Sequence, residues 1–464
     1  MSHRRLGLLA VLSTSLALPA DWPQFRGPSG SGVADAKGLP VIFGPTKNVA
    51  WKVEVPFGQS SPVVVGNRIF LTATYKGSLL TLAYDLASGR ELWRRTLKPA
   101  QIQTTHKGND PASPTPVADA KNVYVFFADF GLIAYSHDGK ERWRHPLGPF
   151  DNFYGMSSSP ILAGGHLLLL CDHTEGSFLL ALDPATGQQR WRTPRPESNA
   201  GWSVPLTYQD QLIAVGSTRV DSYHLSTGEK RWWLPLPSNG SMGTPVLFGD
   251  SVIVTASGSD QPWLPTFAAI LAKLDKNADQ KISLAEGHSD PDMNEHFGAI
   301  DKDKDGDIDA KEWEAARQMG LGEYGAVAIP LNAKGKLEAS AVRWRVKRNL
   351  PYVSSPLLFD GVFYMVKDGG IITSLDPTTG ATLKQGRATG ALGAYFASPV
   401  AADDKVYIVN SEGKMTVLQA GPQWEILALN DLADEAYATP AIVGNRLLVR
   451  TRNSLFSFAQ TDTK

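Results

Sequence analysis

Pro62-Val-Val-Val-Gly-Asn-Arg-Ile-Phe-Leu-Thr-Ala73, then Leu79-Leu-Thr-Leu-Ala-Tyr-Asp85, then Ser88-Gly89 and Glu91-Leu-Trp93-Arg-Arg-Thr96, decides the fold. Pro62–Val65 reads as a first strand, and Gly66-Asn67 as a hairpin turn that tolerates positive φ. Arg68–Ala73 and Leu79–Asp85 read as a second and a third strand. Ser88-Gly89 turns the chain into a fourth strand, Glu91–Thr96, which carries Trp93. One such unit cannot bury both of its faces alone, so repetition is expected.

The unit does repeat. A small residue or Val, then Pro, then an apolar run recurs at Pro62, Pro116, Pro160, Pro205, Pro245, Pro356, Pro399 and Pro440, with spacings of 54, 44, 45, 40, 111, 43 and 41 residues. Apart from the outlier, these intervals match the period of a four-stranded propeller blade. The turn and tryptophan recur as Asp138-Gly139 with Trp143, Thr186-Gly187 with Trp191, and Thr227-Gly228 with Trp232. Blade six keeps Asp376-Pro-Thr-Thr-Gly380 but has Leu383 where tryptophan is expected, and blade seven keeps only Gly421 and Trp424. Blade eight stops after a third strand near Phe456–Ala459. Val49–Pro56, with Trp51, reads as its missing fourth strand. The expected fold is therefore all-β, an eight-bladed β-propeller closed by an N-terminal strand, which removes exposed edges without a disulfide.

Composition narrows the class. The 464 residues carry a formal net charge of −1 and 42% hydrophobic residues, so no bulk field points to nucleic acid and a large core can be built. The single cysteine, Cys171, rules out an intrachain disulfide framework and a cysteine-rich metal site, and it follows a leucine run as a small core hydrophobe would. Arg4, Arg5 and the apolar stretch Leu6–Leu18 read as a signal peptide over residues 1–20, with cleavage after Ala17 or Ala20. No later segment is apolar enough to span a bilayer. A periplasmic or secreted protein is expected, with an N-terminal arm over 21–47 and propeller segments over 48–257 and 326–460.

The Leu182-Asp-Pro-Ala-Thr-Gly187…Trp191 pattern, repeated around nearly the whole chain, resembles the quinoprotein-like propeller superfamily, and so does the opening Asp21-Trp-Pro-Gln-Phe-Arg-Gly27. That resemblance implies the fold and leaves activity open, because the superfamily holds both pyrroloquinoline quinone dehydrogenases and non-enzymatic propellers of outer-membrane assembly. The enzymes commonly carry an adjacent cysteine pair over the quinone, a calcium in the channel and a carboxylate base. One cysteine cannot supply the pair. Asp110, Glu197, Glu435 and His106 fall near the connectors, yet no spacing pairs them. A bound quinone is not expected, and a non-catalytic ligand- or protein-binding scaffold is expected ahead of a quinone-dependent dehydrogenase.

The outlying interval of 111 residues marks an insertion over 258–325, between the second and third strands of blade five. From Phe267 to Met319 there are 13 acidic and 7 basic residues. Two loops there have EF-hand spacing, in which residues 1, 3, 5, 7, 9 and 12 turn oxygens onto calcium. The first offers Asp275, Asn277, Asp279, the Lys281 carbonyl, Ser283 and Glu286. The second offers Asp301, Asp303, Asp305, the Asp307 carbonyl, Asp309 and Glu312. The first has Gln280 where the sharp turn favours glycine, and the second has Gly306 and more acidic side chains, so two calcium ions are expected with the second held more tightly. Phe267, Leu271, Phe297 and Trp313 are expected to form the small core behind the loops. Connectors ahead of each first strand carry Phe57, Gln59, Tyr154, Trp202, Met242, Tyr352, Tyr395 and Tyr437, a candidate face for a protein, sugar or small-molecule ligand.

Overall fold

The computed structural model describes residues 21–460, except Thr104, Lys107, Phe153, residues 239–242 and Gly320. The signal-peptide segment and Met242 lie outside the described residues. Eight sheets of at least four strands follow one another in chain order. In blade one the strands are Val63–Val65, Arg68–Tyr75, Ser78–Asp85 and Glu91–Leu97, each antiparallel to the next. In blade eight Val49–Glu54 pairs antiparallel with Ser454–Phe458, so an N-terminal strand completes the last sheet. Cys171 is fully buried among the leucines of blade three. Among the described residues no helix is long and apolar enough to cross a membrane.

Neighbouring blades are joined at two radii. On the inside, at five of the eight repeats the residue before the proline supplies a hydroxyl that accepts the previous blade's amide. Ser61 N–H donates to Thr115 Oγ1 at 3.0 Å, Thr115 to Ser159 Oγ at 2.9 Å, Thr244 to Ser355 Oγ at 3.0 Å, Ser355 to Ser398 Oγ at 3.0 Å and Ser398 to Thr439 Oγ1 at 2.9 Å. Val204 has no hydroxyl. There Ser158 Oγ donates to the Ser203 carbonyl and Ser203 Oγ to the Gly243 carbonyl, at 2.9 and 3.0 Å. Buried backbone amides need such partners.

On the outside, Trp51, Trp93, Trp143, Trp191 and Trp344 lie over the turn glycine of the next blade, whereas Trp232 of blade four donates to Gln211 Oε1 of its own blade at 3.2 Å. The indole N–H of Trp51, Trp93, Trp143 and Trp344 donates to the carbonyls of Leu86, His137, Pro184 and Pro377, at 2.8–3.0 Å. This explains the turn glycines. A Cβ at Gly187 would sit 2.5 Å from the Trp143 ring, and its φ of +71° is costly for any other residue. Gly187→Ala is expected to cost about 2–3 kcal/mol, read from the denaturant midpoint. Gly249→Ala, with φ +57° and nothing within 4 Å of the added carbon, should cost only the conformational part, about 1 kcal/mol.

Three sequence expectations are corrected. In blade six the position paired as the tryptophans are is held by Lys384, opposite Ser374, and not by Leu383. The pair is reversed there, because the Lys384 ammonium lies 4.7 Å from the ring of Trp424, which sits in the turn of blade seven. In blade five the fourth strand, which the sequence places at Val342–Val346 around Trp344, is regular only over Arg345–Val346, and Gly335–Lys336 pairs in parallel with Lys230–Pro235 of blade four.

The N-terminal arm closes the channel on the hairpin side. Trp22 exchanges two backbone bonds of 2.8 Å with Val64 of blade one, and the Pro23 carbonyl accepts from Ala118 of blade two. Arg26, fully buried, donates to the Pro356 carbonyl at 2.6 Å, and the Gly32 carbonyl accepts from Ala401 of blade seven. Burial brings the Arg26 guanidinium down to about 9. The inserted segment folds as four short helices, α1 (Phe267–Leu274), α2 (Leu284–Gly287), α3 (Pro291–Ile300) and α4 (Ala310–Arg317). Its core is the third correction. Ile270 and Leu274, one turn apart, take the centre with Phe297, Ile300, Ile308 and Trp313, while Phe267 and Leu271 pack at the margin.

Candidate functional site

The connectors meet over the channel mouth, and a cavity of about 170 Å³ opens among them. Its wall has two tiers set by the repeat. The lower tier is the residue before each proline, with Ser61, Thr115, Ser159, Val204, Ser355, Ser398 and Thr439 all lining the space. The upper tier lies two residues earlier, with Gln59, Ser113, Ser157, Trp202, Val353, Phe396 and Tyr437. His106, Asn109, Tyr154 and Tyr352 add to the rim, and Phe25 of the N-terminal arm also lines the cavity.

This register corrects two expected residues. Tyr395 is 2% exposed, its hydroxyl donates to the Ala391 carbonyl at 2.5 Å, and it packs in the core between blades six and seven. Phe57 is half-buried under the Arg452 guanidinium, 4.7 Å from its ring, and does not line the cavity. Gln59, Tyr154, Trp202, Tyr352 and Tyr437 do line it. Phe396 and Phe25 were missed. The signal for Phe396 was the fixed offset of two residues before the small-residue–proline pair, whereas aromatic content alone picked its neighbour.

The aromatic groups are held in place. The Trp202 indole donates to the Gly155 carbonyl at 2.9 Å, and its ring meets Tyr154 edge-on at 5.4 Å between centroids. His106 also meets Tyr154 edge-on, at 5.1 Å, and Phe396 packs against Tyr437 at 5.4 Å. Asn109 Nδ2 donates to the Tyr154 carbonyl, and Ser113 Oγ to Gln59 Oε1. Asp110 lies behind the wall, 2% exposed, and burial raises its carboxyl. Glu197 pairs with Arg219 at 2.7 Å, and Glu435 pairs with Arg452 at 3.1 Å and accepts from the Tyr437 hydroxyl at 3.2 Å, so neither carboxylate is itself in the lining. The described lining therefore holds aromatic, hydroxyl and amide groups with no Arg, Lys, Asp or Glu. It can stack on and hydrogen-bond a neutral ligand. A tricarboxylate quinone would find no counter-charge in that lining and no carboxylate poised as a base, and the chain's one cysteine lies buried in blade three. These residues do not fit that cofactor.

The two acidic loops of the insert form a pair. Ile282 and Ile308 face each other in a two-residue antiparallel bridge. In the first loop Asp275 accepts from the amides of Ala278 and Gln280, Asn277 from Asp279, and Asp279 from Lys281. Ser283 caps α2 while Glu286 reaches back to the amides of Lys276 and Ser283, and these bonds hold the Glu286 carboxyl down to about 2. The second loop repeats the scheme. Asp301 accepts from Gly306, Asp303 from Asp305, Asp305 from Asp307, and Glu312 from Lys302 and Asp309, with Asp309 capping α4. Carboxylate oxygens of Asp301, Asp303 and Asp305 lie within 4.8 Å of one another, and Asp301 Oδ1 is buried without a hydrogen-bond partner. Gln280 takes φ +64°, where Gly306 has +92°. Ala278 and Lys304, two residues earlier in each loop, are left-handed as well, a feature the motif did not single out. Lys304 pairs with Asp151, so the insert stands on the connector face beside the mouth.

A family profile described as outer membrane protein assembly factor BamB matches residues 41–277 and 332–464. The unmatched stretch between them covers most of the helical insert. A curated relative of that name from Burkholderia pseudomallei (strain K96243) is 24% identical over 232 residues, 48% of this chain and 57% of the relative. A quinoprotein ethanol dehydrogenase of Pseudomonas putida is 27% identical over 164 residues, 31% of this chain and 24% of the enzyme. The chain thus spans less than two thirds of the length of either. Among solved structures, BamB from Moraxella catarrhalis superposes over 89% of this chain and 99% of its own with a TM-score of 0.56 at 11% identity. Quinohemoprotein alcohol dehydrogenase from Comamonas testosteroni covers 95% of this chain and 80% of its own, with a TM-score of 0.60 at 11% identity. At that identity the likeness is one of fold.

Proposed function

The chain belongs to the BamB-type family of pyrroloquinoline-quinone-repeat propellers, and from that premise we propose an exported, non-catalytic binding scaffold whose inserted module holds two calcium ions. The observation that carries the non-catalytic part is the channel mouth, where every described lining side chain is aromatic, aliphatic, hydroxyl, amide or imidazole. Such a surface suits a neutral ligand or a protein loop, and the described lining itself holds no carboxylate to act as a base. The calcium part rests on the clustered carboxylates of Asp301, Asp303 and Asp305 and on the paired loop geometry. An extracellular compartment supplies calcium at concentrations that keep sites of this class filled, which favours a structural over a switching role.

The dehydrogenase alternative has the Pseudomonas putida relative in its favour. Calorimetric titration of the calcium-loaded protein with pyrroloquinoline quinone separates the two. No heat and no alcohol-dependent dye reduction are expected. Saturable heat with turnover would replace the scaffold by the enzyme.

A further inference from the structure

Six hydroxyls converge on the cavity at the channel mouth. Ser61, Thr115, Ser159, Ser355, Ser398 and Thr439 each line it, and each residue is only 2 or 3% exposed. A Ser or Thr hydroxyl has one O–H to donate and two lone pairs that accept. Thr115, Ser159, Ser355, Ser398 and Thr439 each use one lone pair on the amide of a neighbouring blade. Ser61 Oγ makes no hydrogen bond to the described residues, and none of the six O–H groups donates to them. Buried donors are rarely left unpaired, so this ring calls for an occupant.

The surroundings restrict what that occupant is. Above the hydroxyls the rim is aromatic, with Tyr154, Trp202, Tyr352, Phe396 and Tyr437. Below them lies Phe25, on the arm that crosses the hairpin side of the channel. The result is a cup entered from the mouth, with no charged side chain in its described lining. Its volume of about 170 Å³ holds on the order of ten water-sized groups. A protein loop has to enter and return by the same opening, and that space is too small for chain in both directions. A flat apolar ring satisfies the aromatic rim and leaves the hydroxyls unpaired. A quaternary ammonium does the same, because it neither donates nor accepts. A sugar meets both tiers. Its C–H face packs on an aromatic ring. Each of its hydroxyls both donates and accepts, which matches the O–H and the lone pair still unused on each amide-bonded hydroxyl of the ring.

We propose that this cup binds the ring of a neutral sugar, as one unit or as the end of an oligosaccharide, with its hydroxyls among the Ser and Thr side chains and its C–H face against the aromatic rim. The inference rests on the reading of the mouth as a binding surface for an uncharged ligand, and it names the class of that ligand.

The test is calorimetry of the full mature protein with maltose, cellobiose and chitobiose, and with phenol and choline as comparison probes. At least one sugar is expected to bind saturably, at least about tenfold tighter than phenol or choline. Its affinity should stay within about twofold as salt rises, since no charge pair is involved. Phe396→Ala, at the half-buried rim, should weaken sugar binding by about tenfold. Ser61→Ala should weaken it by about fivefold, and it deprives no described protein group of a partner, so the variant is expected to fold like the parent. No heat from any sugar means that the cup holds water alone, and it overturns the proposal. So does binding of phenol or choline as tight as that of the sugars, which leaves the non-catalytic reading standing, and so does sugar binding that both substitutions leave unchanged. Sugar-dependent dye reduction with pyrroloquinoline quinone present, lost in Phe396→Ala, supports the sugar site and overturns the non-catalytic reading instead.

Discussion

Arg195→Met is expected to lower folding stability by about 3–5 kcal/mol, the cost of stranding buried charge. Arg195 is 1% exposed, at the end of the fourth strand of blade three. Its guanidinium makes two bonds to Asp172, at 2.7 and 2.9 Å, one to Asp221 at 3.0 Å and one to the Tyr223 hydroxyl at 2.6 Å. Asp172 follows the second strand of blade three, and Asp221 and Tyr223 lie in the third strand of blade four. One side chain thus joins two blades. Methionine keeps much of the volume but leaves the Asp172 carboxylate with only Ser198 Oγ at 2.8 Å. Asp221 keeps Arg219, at 2.9 Å, so the greater part of the penalty falls on Asp172. Adding Asp172→Leu to Arg195→Met should therefore recover much of the loss in urea unfolding, because an all-apolar replacement removes the stranded charge. A loss under about 1 kcal/mol for the single variant, or additive losses in the pair, would mean that water reaches the site.

How far the sequence reveals such features depends on what repeats. The propeller was legible because the small-residue–proline pair, the turn glycine and the tryptophan recur, and each has a structural reason at the blade interface. The Arg195 network occurs once, at one blade boundary, and has no period that would disclose it. The mouth was half legible. Aromatic content located the connectors, and Gln59, Tyr154, Trp202, Tyr352 and Tyr437 do line the cavity, but only the offset from proline tells Phe396 from Tyr395. Phe25 could not be placed from sequence, since its position depends on the arm crossing the ring from blade one to blade seven. The acidic loops of the insert were legible because their spacing is local, and Phe297 and Trp313 do sit in its core, whereas the i, i+3, i+4, i+7 set on α1 does not by itself rank Ile270 and Leu274 as more buried than Phe267 and Leu271.

Calcium titration of chelator-treated protein is expected to show two sites, with the second loop tighter by about tenfold or more. The difference follows from two terms of the same sign. Three carboxylates of the second loop crowd within 4.8 Å, and two unit charges about 4 Å apart repel by ~1 kcal/mol in water and ~4 kcal/mol near a protein surface. A divalent cation turns that repulsion into attraction, and the buried, unpartnered Asp301 Oδ1 is already placed for it. The first loop has Asn277 in place of one of those carboxylates and holds Gln280 at φ +64°, a strain of ~1 kcal/mol that Gly306 does not incur. Glu312→Gln removes the carboxylate that closes the second loop and is expected to weaken its site on the order of a hundredfold, within the range over which ligand charge tunes loops of this class. Because Ile282 and Ile308 bridge the loops, the same change should also loosen the first site, whereas Glu286→Gln acts chiefly on its own loop. At calcium 100-fold above the dissociation constant each filled site stabilises the folded insert by about 2.7 kcal/mol, so chelation should lower its unfolding temperature while most of the β-sheet signal melts as before. Protein that takes up no calcium at millimolar concentration, or a Glu312→Gln variant that titrates like the parent, would reduce the insert to a solvated acidic loop pair held together only by its own hydrogen bonds.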